Sequence, residues 1–178
     1  MTVDADAAWR NYTRITAVQT AMVYGGAAPF IGHEATADEL SPTMHAIIER
    51  GKSLSAVEHS GDVEQYRLFS REIATDLAPY DVFLTPALTQ PPRPFGYWDM
   101  SEPDIDIYNA KWIDAVFLYL FNISGQPAIS LPMHWSADGL PIGVQLVGRP
   151  RDEATLIRVA AQLESAQPWI GKRPPLCC

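Results

Sequence analysis

The side chains able to do chemistry in this sequence are scattered rather than clustered. Four histidines, His33, His45, His59 and His134, show no spacing that would place two on one helix face around a metal ion. A zinc site is not expected. Ser124-Gly125 invites comparison with a nucleophile elbow, but that turn needs Gly-x-Ser-x-Gly after a strand. Residue 122 is Asn and the segment ahead reads as helix, so Ser124 is not read as a nucleophile. Glu102, Asp104 and Asp106 alternate around Pro103, as ligands of a hard cation can. The glycine and closing glutamate of a calcium loop are missing, and a solvated loop is the plainer reading. Asp99, Glu102 and Asp114 would serve as a glycosidase pair only if a cleft held two of them at a set separation.

Ligand contact is better sought elsewhere. Thr85, Gln90 and Trp98 lie along a connection that is long, aromatic and rich in proline, the composition of a pocket rim. A packed loop explains them equally well. His134 and Trp135 stand just past an expected strand end, where substrate-facing side chains gather in α/β folds; an exposed loop is the alternative. Gln145 is polar inside an apolar strand and faces either neighbouring backbone or a cavity.

The elements that would position these residues follow from periodicity and punctuation. Trp9, Tyr12, Ile15, Val18 and Met22 form an apolar stripe, so residues 3–24 read as a helix ended by Gly25 and Gly26. Ser41-Pro42 starts a second helix that Gly51 closes. Ser55 and Glu58 make a capping box for a third, with a break expected at Ser60-Gly61. Val82-Phe83-Leu84 is apolar without alternation, as in a strand covered on both faces. A helix is expected over 108–121, then strands at 127–132 and 141–148. An amphipathic helix follows over 152–167, opened by Asp152 and Glu153, with Trp169 sealing its end. Strand, tight loop and helix in that order give an α/β rhythm.

Composition narrows the function classes. The chain has 178 residues, 47 % hydrophobic and 19 % charged, enough for one domain with a substantial core. Its 13 basic and 21 acidic residues give a formal charge of −8. No Lys/Arg stripe stands ready to neutralise phosphates, so no nucleic acid is expected. Cys177 and Cys178 are adjacent and cannot staple distant segments. The start of the chain carries no basic-then-apolar leader, and Ala115–Phe121 is too short to span a membrane. A cytoplasmic protein without membrane contact is the expectation.

Three stretches carry a resemblance: DVFLTPAL at 81–88, FNISGQPAISLP at 121–132 and GLPIGVQLVGRPRDEATLIRVAAQLE at 139–164. They resemble the amidase signature family, the Ser–Ser–Lys amide hydrolases, well over residues 62–170 and loosely over 1–61. Within it the text looks most like bacterial amidases of small amides, including those that open cyclic amide oligomers of nylon manufacture. The resemblance implies an α/β fold: the C-terminal part of a large mixed sheet flanked by helices on both faces. Residues 1–178 would then be a partial amidase domain, with helical segments over 1–80, strands and covering helices over 81–170, and a tail over 171–178. It also implies dimers, no cofactor and no metal.

The family's nucleophilic serine, relay serine and basic lysine sit in an N-terminal half with a Gly/Ser-rich run. Nothing here matches that run: Gly25-Gly26 has no serine after it, and Lys52-Ser53-Leu54-Ser55 has no glycines around it. No catalytic residue is therefore assigned. Asn122 and Gly125, by resemblance, shape the turn into a strand near the pocket wall, and where relatives often carry glycine this chain has His134 and Trp135.

Two readings result. In the first, the chain is the C-terminal part of an amidase-family hydrolase, supplying sheet and pocket wall and inactive alone. Its partner is the N-terminal half or another copy of itself, and it meets a small amide only when complete. In the second, it is a non-catalytic α/β binding or assembly module. A cut sheet must leave edges and apolar faces uncovered, whereas a module must cover them.

Overall fold

The computed structural model describes residues 2–113 and 118–173. Among these are six α-helices, one short 3-10 helix (Ala37–Glu39) and three strands. The helices are α1 (Ala5–Ile31), α2 (Pro42–Ser53), α3 (Ala56–Leu77), α4 (Ile105–Ile113), α5 (Leu118–Ser124) and α6 (Glu153–Ala166). The strands are β1 (Val82–Pro86), β2 (Ala128–Trp135) and β3 (Pro141–Gly148). No described helix is long and apolar enough to cross a membrane. The chain divides into two compact units. One takes in residues 70–91 and 116 onward with the first two residues; the other takes in 3–69 and 92–115.

In the helical unit, Asp4 caps α1 by accepting from the Ala7 N–H at 3.0 Å. The helix runs past the expected stop. Neither Gly25 nor Gly26 has a positive φ; the left-handed residue that ends α1 is Gly32, with φ 85° and its N–H on the Ala28 carbonyl. Ser41 caps α2 as expected, with Pro42 in the first turn. Gly51, expected to close that helix, instead lies within it and is buried. An added Cβ there would sit 2.2 Å from the Ala17 carbonyl oxygen of α1. This glycine is present for close helix packing, not for a stop.

The expected capping box is formed: the Ser55 N–H donates to Glu58 Oε2 at 2.9 Å and the Glu58 N–H donates to Ser55 Oγ at 3.2 Å. Beyond it α3 is continuous through Ser60-Gly61, where no break occurs. Arg14 ties α1 to α3 through Asp62 at 2.9 Å.

Hydrogen bonds from the Ser55 hydroxyl and N–H hold the Glu58 carboxyl below its ordinary value. A carboxyl depressed on folding contributes stability above its unfolded value, and that contribution fades as pH falls through the folded one. Glu58→Gln is therefore expected to melt below the wild type at pH 7. The gap between the two melting curves should narrow as pH falls through the acid range, as thermal denaturation across that range will show.

In the sheet unit the strand order is β1-β3-β2, antiparallel throughout. One face carries Val82, Ile129, Leu131, Met133, Val144 and Leu146, which pack on Leu156, Val159, Ala160 and Leu163 of α6 and on Trp169. Asp152 caps α6 by accepting from the Thr155 N–H. The expected amphipathic helix and its aromatic seal are both present. On the other face Phe83 meets Phe121 of α5, ring centroids 6.3 Å apart. Helices thus lie on both faces of the strands.

Two expectations change here. β1 is not covered on both faces, since Leu84 is 63 % exposed. β2 continues to Trp135, so His134 and Trp135 lie inside the strand and not beyond it. Of the helix expected over 108–121, the parts on either side of residues 114–117 are described, as α4 and α5; Asp114 and residues 115–117 fall outside the described residues, as do Cys177 and Cys178.

Candidate functional site

The residues singled out from sequence do not converge. Asn122 is exposed near the end of α5, and Gly125 follows with φ 66° and its N–H on the Phe121 carbonyl. That left-handed turn favours glycine and aims the chain into β2. Gln126 then locks the turn to β3, its Nε2 donating to the Gly148 carbonyl at 2.8 Å. His134 and Trp135 lie at the opposite end of β2, roughly 20 Å from its start at the usual strand rise. Lys172 stands over the Trp135 ring, 5.1 Å from its centroid. Gln90 is half-buried in the connection after β1. Trp98 belongs to the helical unit, stacked on Trp112 at 4.4 Å.

Thr85 is different, because strand register gives it neighbours. It pairs with Gln145 of β3, and Gln145 pairs with Ser130 of β2. Side chains alternate along strands, so these three stand in one row on the face opposite α6. Gln145 is 4 % exposed and donates from Nε2 to Thr85 Oγ1 at 3.1 Å. Thr85 is also buried, whereas Ser130 is exposed. On one side the row meets Phe83 and Val147. On the other lies Gly143, whose missing Cβ would come within 3.0 Å of the Ala87 Cβ and 3.2 Å of Ser130 Oγ. The row is therefore polar, uncharged, bordered on one side by small groups, and open at Ser130.

Ser130 was not singled out by sequence reasoning. The available signal was the alternation in Ala128–Leu131, which puts Ser130 on the face opposite Ile129 and Leu131. Only the register could place it beside Gln145.

Other groups able to do chemistry have local partners. Asp104 caps α4 by accepting from the Asp106 N–H at 2.9 Å, and Asp106 pairs with Arg50. Lys52 pairs with Glu49 at 3.1 Å, Ser53 donates to the Arg50 carbonyl, and Ser55 belongs to its capping box. A pocket of about 130 Å³ in the helical unit is lined by Tyr24, Glu34, His45, Glu49 and Lys52 among others. Two of these side chains, Lys52 and Glu49, form the ion pair just described. Among the described residues no three His, Cys, Asp or Glu stand close enough to hold a metal ion.

A family model described as Amidase matches residues 4–157. The chain is 31 % identical over 174 residues to the 6-aminohexanoate-cyclic-dimer hydrolase of Paenarthrobacter ureafaciens, covering 94 % of this chain and 35 % of the relative. A solved structure of 6-aminohexanoate cyclic dimer hydrolase superposes with a TM-score of 0.87 at 29 % identity, over 94 % of this chain and 36 % of that one. A crystal structure of an amidase at 20 % identity shares the fold, with a TM-score of 0.69 over 89 % of this chain and 35 % of that one. The chain thus spans about a third of the length of the relatives it matches.

Proposed function

The chain belongs to the amidase family, and from that premise we propose that it is the C-terminal part of an enzyme hydrolysing carbon–nitrogen bonds of small cyclic or linear amides. The observation that carries the reading is the Thr85–Gln145–Ser130 row. A neutral amide presents one carbonyl acceptor and N–H donors. A wall that recognises it needs uncharged hydrogen-bonding groups in fixed orientation, set in mostly apolar surroundings. Thr85 holds the Gln145 carboxamide in place, and exposed Ser130 offers both a donor and an acceptor to an approaching ligand.

Acyl transfer by the family's route needs an activated serine and a base within hydrogen-bond reach. The nearest string in this chain, Lys52 to Ser55, has its lysine and serines engaged with local partners. The proposal therefore takes the nucleophile, the relay serine and the basic lysine from the remaining amidase polypeptide, with this chain supplying sheet and pocket wall. Under this reading the setting is the cytoplasm, and the partner is that polypeptide or a second copy.

The test is amide release from the 6-aminohexanoate cyclic dimer and from simple linear amides. The chain would be assayed alone and co-produced with the N-terminal two-thirds of the Paenarthrobacter ureafaciens hydrolase. Release only by the co-produced pair is expected. Release by the chain alone overturns the proposal. A sharp unfolding transition that the partner leaves unchanged, with no release by the pair, would favour a stand-alone binding module instead.

A further inference from the structure

We propose that the pocket between α1, α2 and the connection joining them is a binding site for a small primary alkylammonium ion, with Glu34 as its counter-charge and Gly25 leaving room for its methylenes.

The pocket is built from neighbouring stretches of chain. α2 sends His45, Ile48, Glu49 and Lys52 to it, positions three and four apart that share one face of a helix. α1 contributes Tyr24 and Gly25, and the connection contributes Glu34, Ala35 and Leu40. That connection is held at both ends. Gly32 closes α1 with its N–H on the Ala28 carbonyl, and Ser41 caps α2. Between them His33 Nε2 lies 2.9 Å from Glu39 Oε1, and the Thr36 N–H donates to Glu39 Oε2 at 2.9 Å. The wall carrying Glu34 is thus shaped before any ligand arrives, which leaves little ordering for binding to impose.

The lining divides by polarity. Ile48 is buried and, with half-buried Ala35 and Leu40, gives an apolar base. Glu34 and Glu49 against Lys52 leave one net negative charge around it. Lys52 and Glu49 answer each other at 3.1 Å. Glu34, His45 and Tyr24 have no side-chain partner among the described residues. One carboxylate is therefore unengaged, in the same pocket as an aromatic ring that attracts cations. That combination selects a positive charge on a short hydrocarbon stem. An anion would be repelled by Glu34, and a neutral alcohol would leave its charge unanswered.

Gly25 points the same way independently. Glycine weakens a helix interior, yet Gly25 neither ends α1 nor has a positive φ. Unlike Gly51 it permits no close packing, since an added Cβ would meet no heavy atom within 4 Å. It lines the pocket, and its missing side chain keeps that space open. The functional reading above connects the ligand to a reaction, because hydrolysis of an amide bond releases an amine. Binding itself does not depend on that reading.

Amide chemical-shift titration of the full chain with butylammonium chloride tests the site, with sodium butyrate and 1-butanol as anionic and neutral probes of the same length. Saturable butylammonium binding in roughly the millimolar range is expected for a ligand of so few atoms. Both other probes should bind about tenfold more weakly or less, the worth of one charge-assisted contact. Glu34→Gln keeps the shape and removes the charge, so it should weaken butylammonium by about the same factor and leave 1-butanol unchanged. Gly25→Leu fills the space with a helix-favouring residue and should abolish saturation without lowering the melting temperature. If the melting temperature does fall, Glu34→Gln decides.

Equal affinity for butyrate or 1-butanol overturns the proposal. So does saturable binding that Gly25→Leu leaves intact, because the ligand then sits elsewhere. The readout is binding to this chain alone. A co-produced pair that releases no amide therefore sinks the functional reading only, and a chain that does not bind butylammonium sinks this inference only.

Discussion

Gly51→Ala is expected to destabilise the chain by about 3 kcal/mol, at the upper end of the cost of overpacking a close contact. Elsewhere on a helix the same change is favourable, because alanine loses less backbone entropy than glycine. Here the new methyl would stand 2.2 Å from the carbonyl oxygen of Ala17, 2.6 Å from its carbonyl carbon and 2.9 Å from the Ala21 Cβ. Two of the three are backbone atoms of α1 and cannot rotate aside, so α1 and α2 must separate. The internal control is Gly61→Ala in α3, where no heavy atom lies within 4 Å of the added Cβ; it should stabilise by roughly 0.5–1 kcal/mol. Thermal melts read both, with Gly51→Ala falling by roughly 10 °C and Gly61→Ala rising slightly. Shifts of the same sign would mean that α1 and α2 are not in close contact at Gly51.

That pair of glycines also marks where sequence reasoning stopped. Gly25, Gly26, Gly51 and Gly61 read alike as breakers, and all four lie inside helices. Glycine lowers helix propensity for one reason and permits close packing for another, and the letter does not say which applies. The caps were legible because they are local. Ser41, Ser55 and Asp152 each accept from the backbone N–H three residues on, and α6 stood out by its stripe. The fold class and family followed from three stretches at turns and strand ends, where backbone geometry restricts the choice of residue.

The site was less legible because its members meet through register. Thr85 and Gln145 are 60 residues apart along the chain and touch only because β1 pairs with β3. Gln145 showed as a polar interruption, but nothing in the sequence named its partner. His134 and Trp135 drew attention by their chemistry, and the structure places them along β2 far from Asn122 and Gly125. Proximity in sequence to a supposed strand end was the wrong guide, since the strand ran three residues further than its proline suggested.

The Thr85–Gln145 pair allows stability and function to be separated. Thr85→Val keeps the shape and removes the acceptor, leaving the buried Gln145 amide with one bond fewer, at a cost of roughly 1–3 kcal/mol. Gln145→Leu leaves the Thr85 hydroxyl without its donor and should cost a similar amount. Replacing both removes the demand with the supply, so the double variant is expected within about 1 kcal/mol of wild type. That non-additivity, read from denaturant melts, measures the bond itself. Amide release by the double variant co-produced with the catalytic part should nevertheless fall at least tenfold, because Ser130 would then stand beside an apolar row in place of a polar one. Full activity in a stably folded double variant would assign the row to packing alone and move the pocket wall elsewhere. Single variants that are merely additive would show that the 3.1 Å contact contributes little, because a bond shared by two buried groups cannot be lost twice.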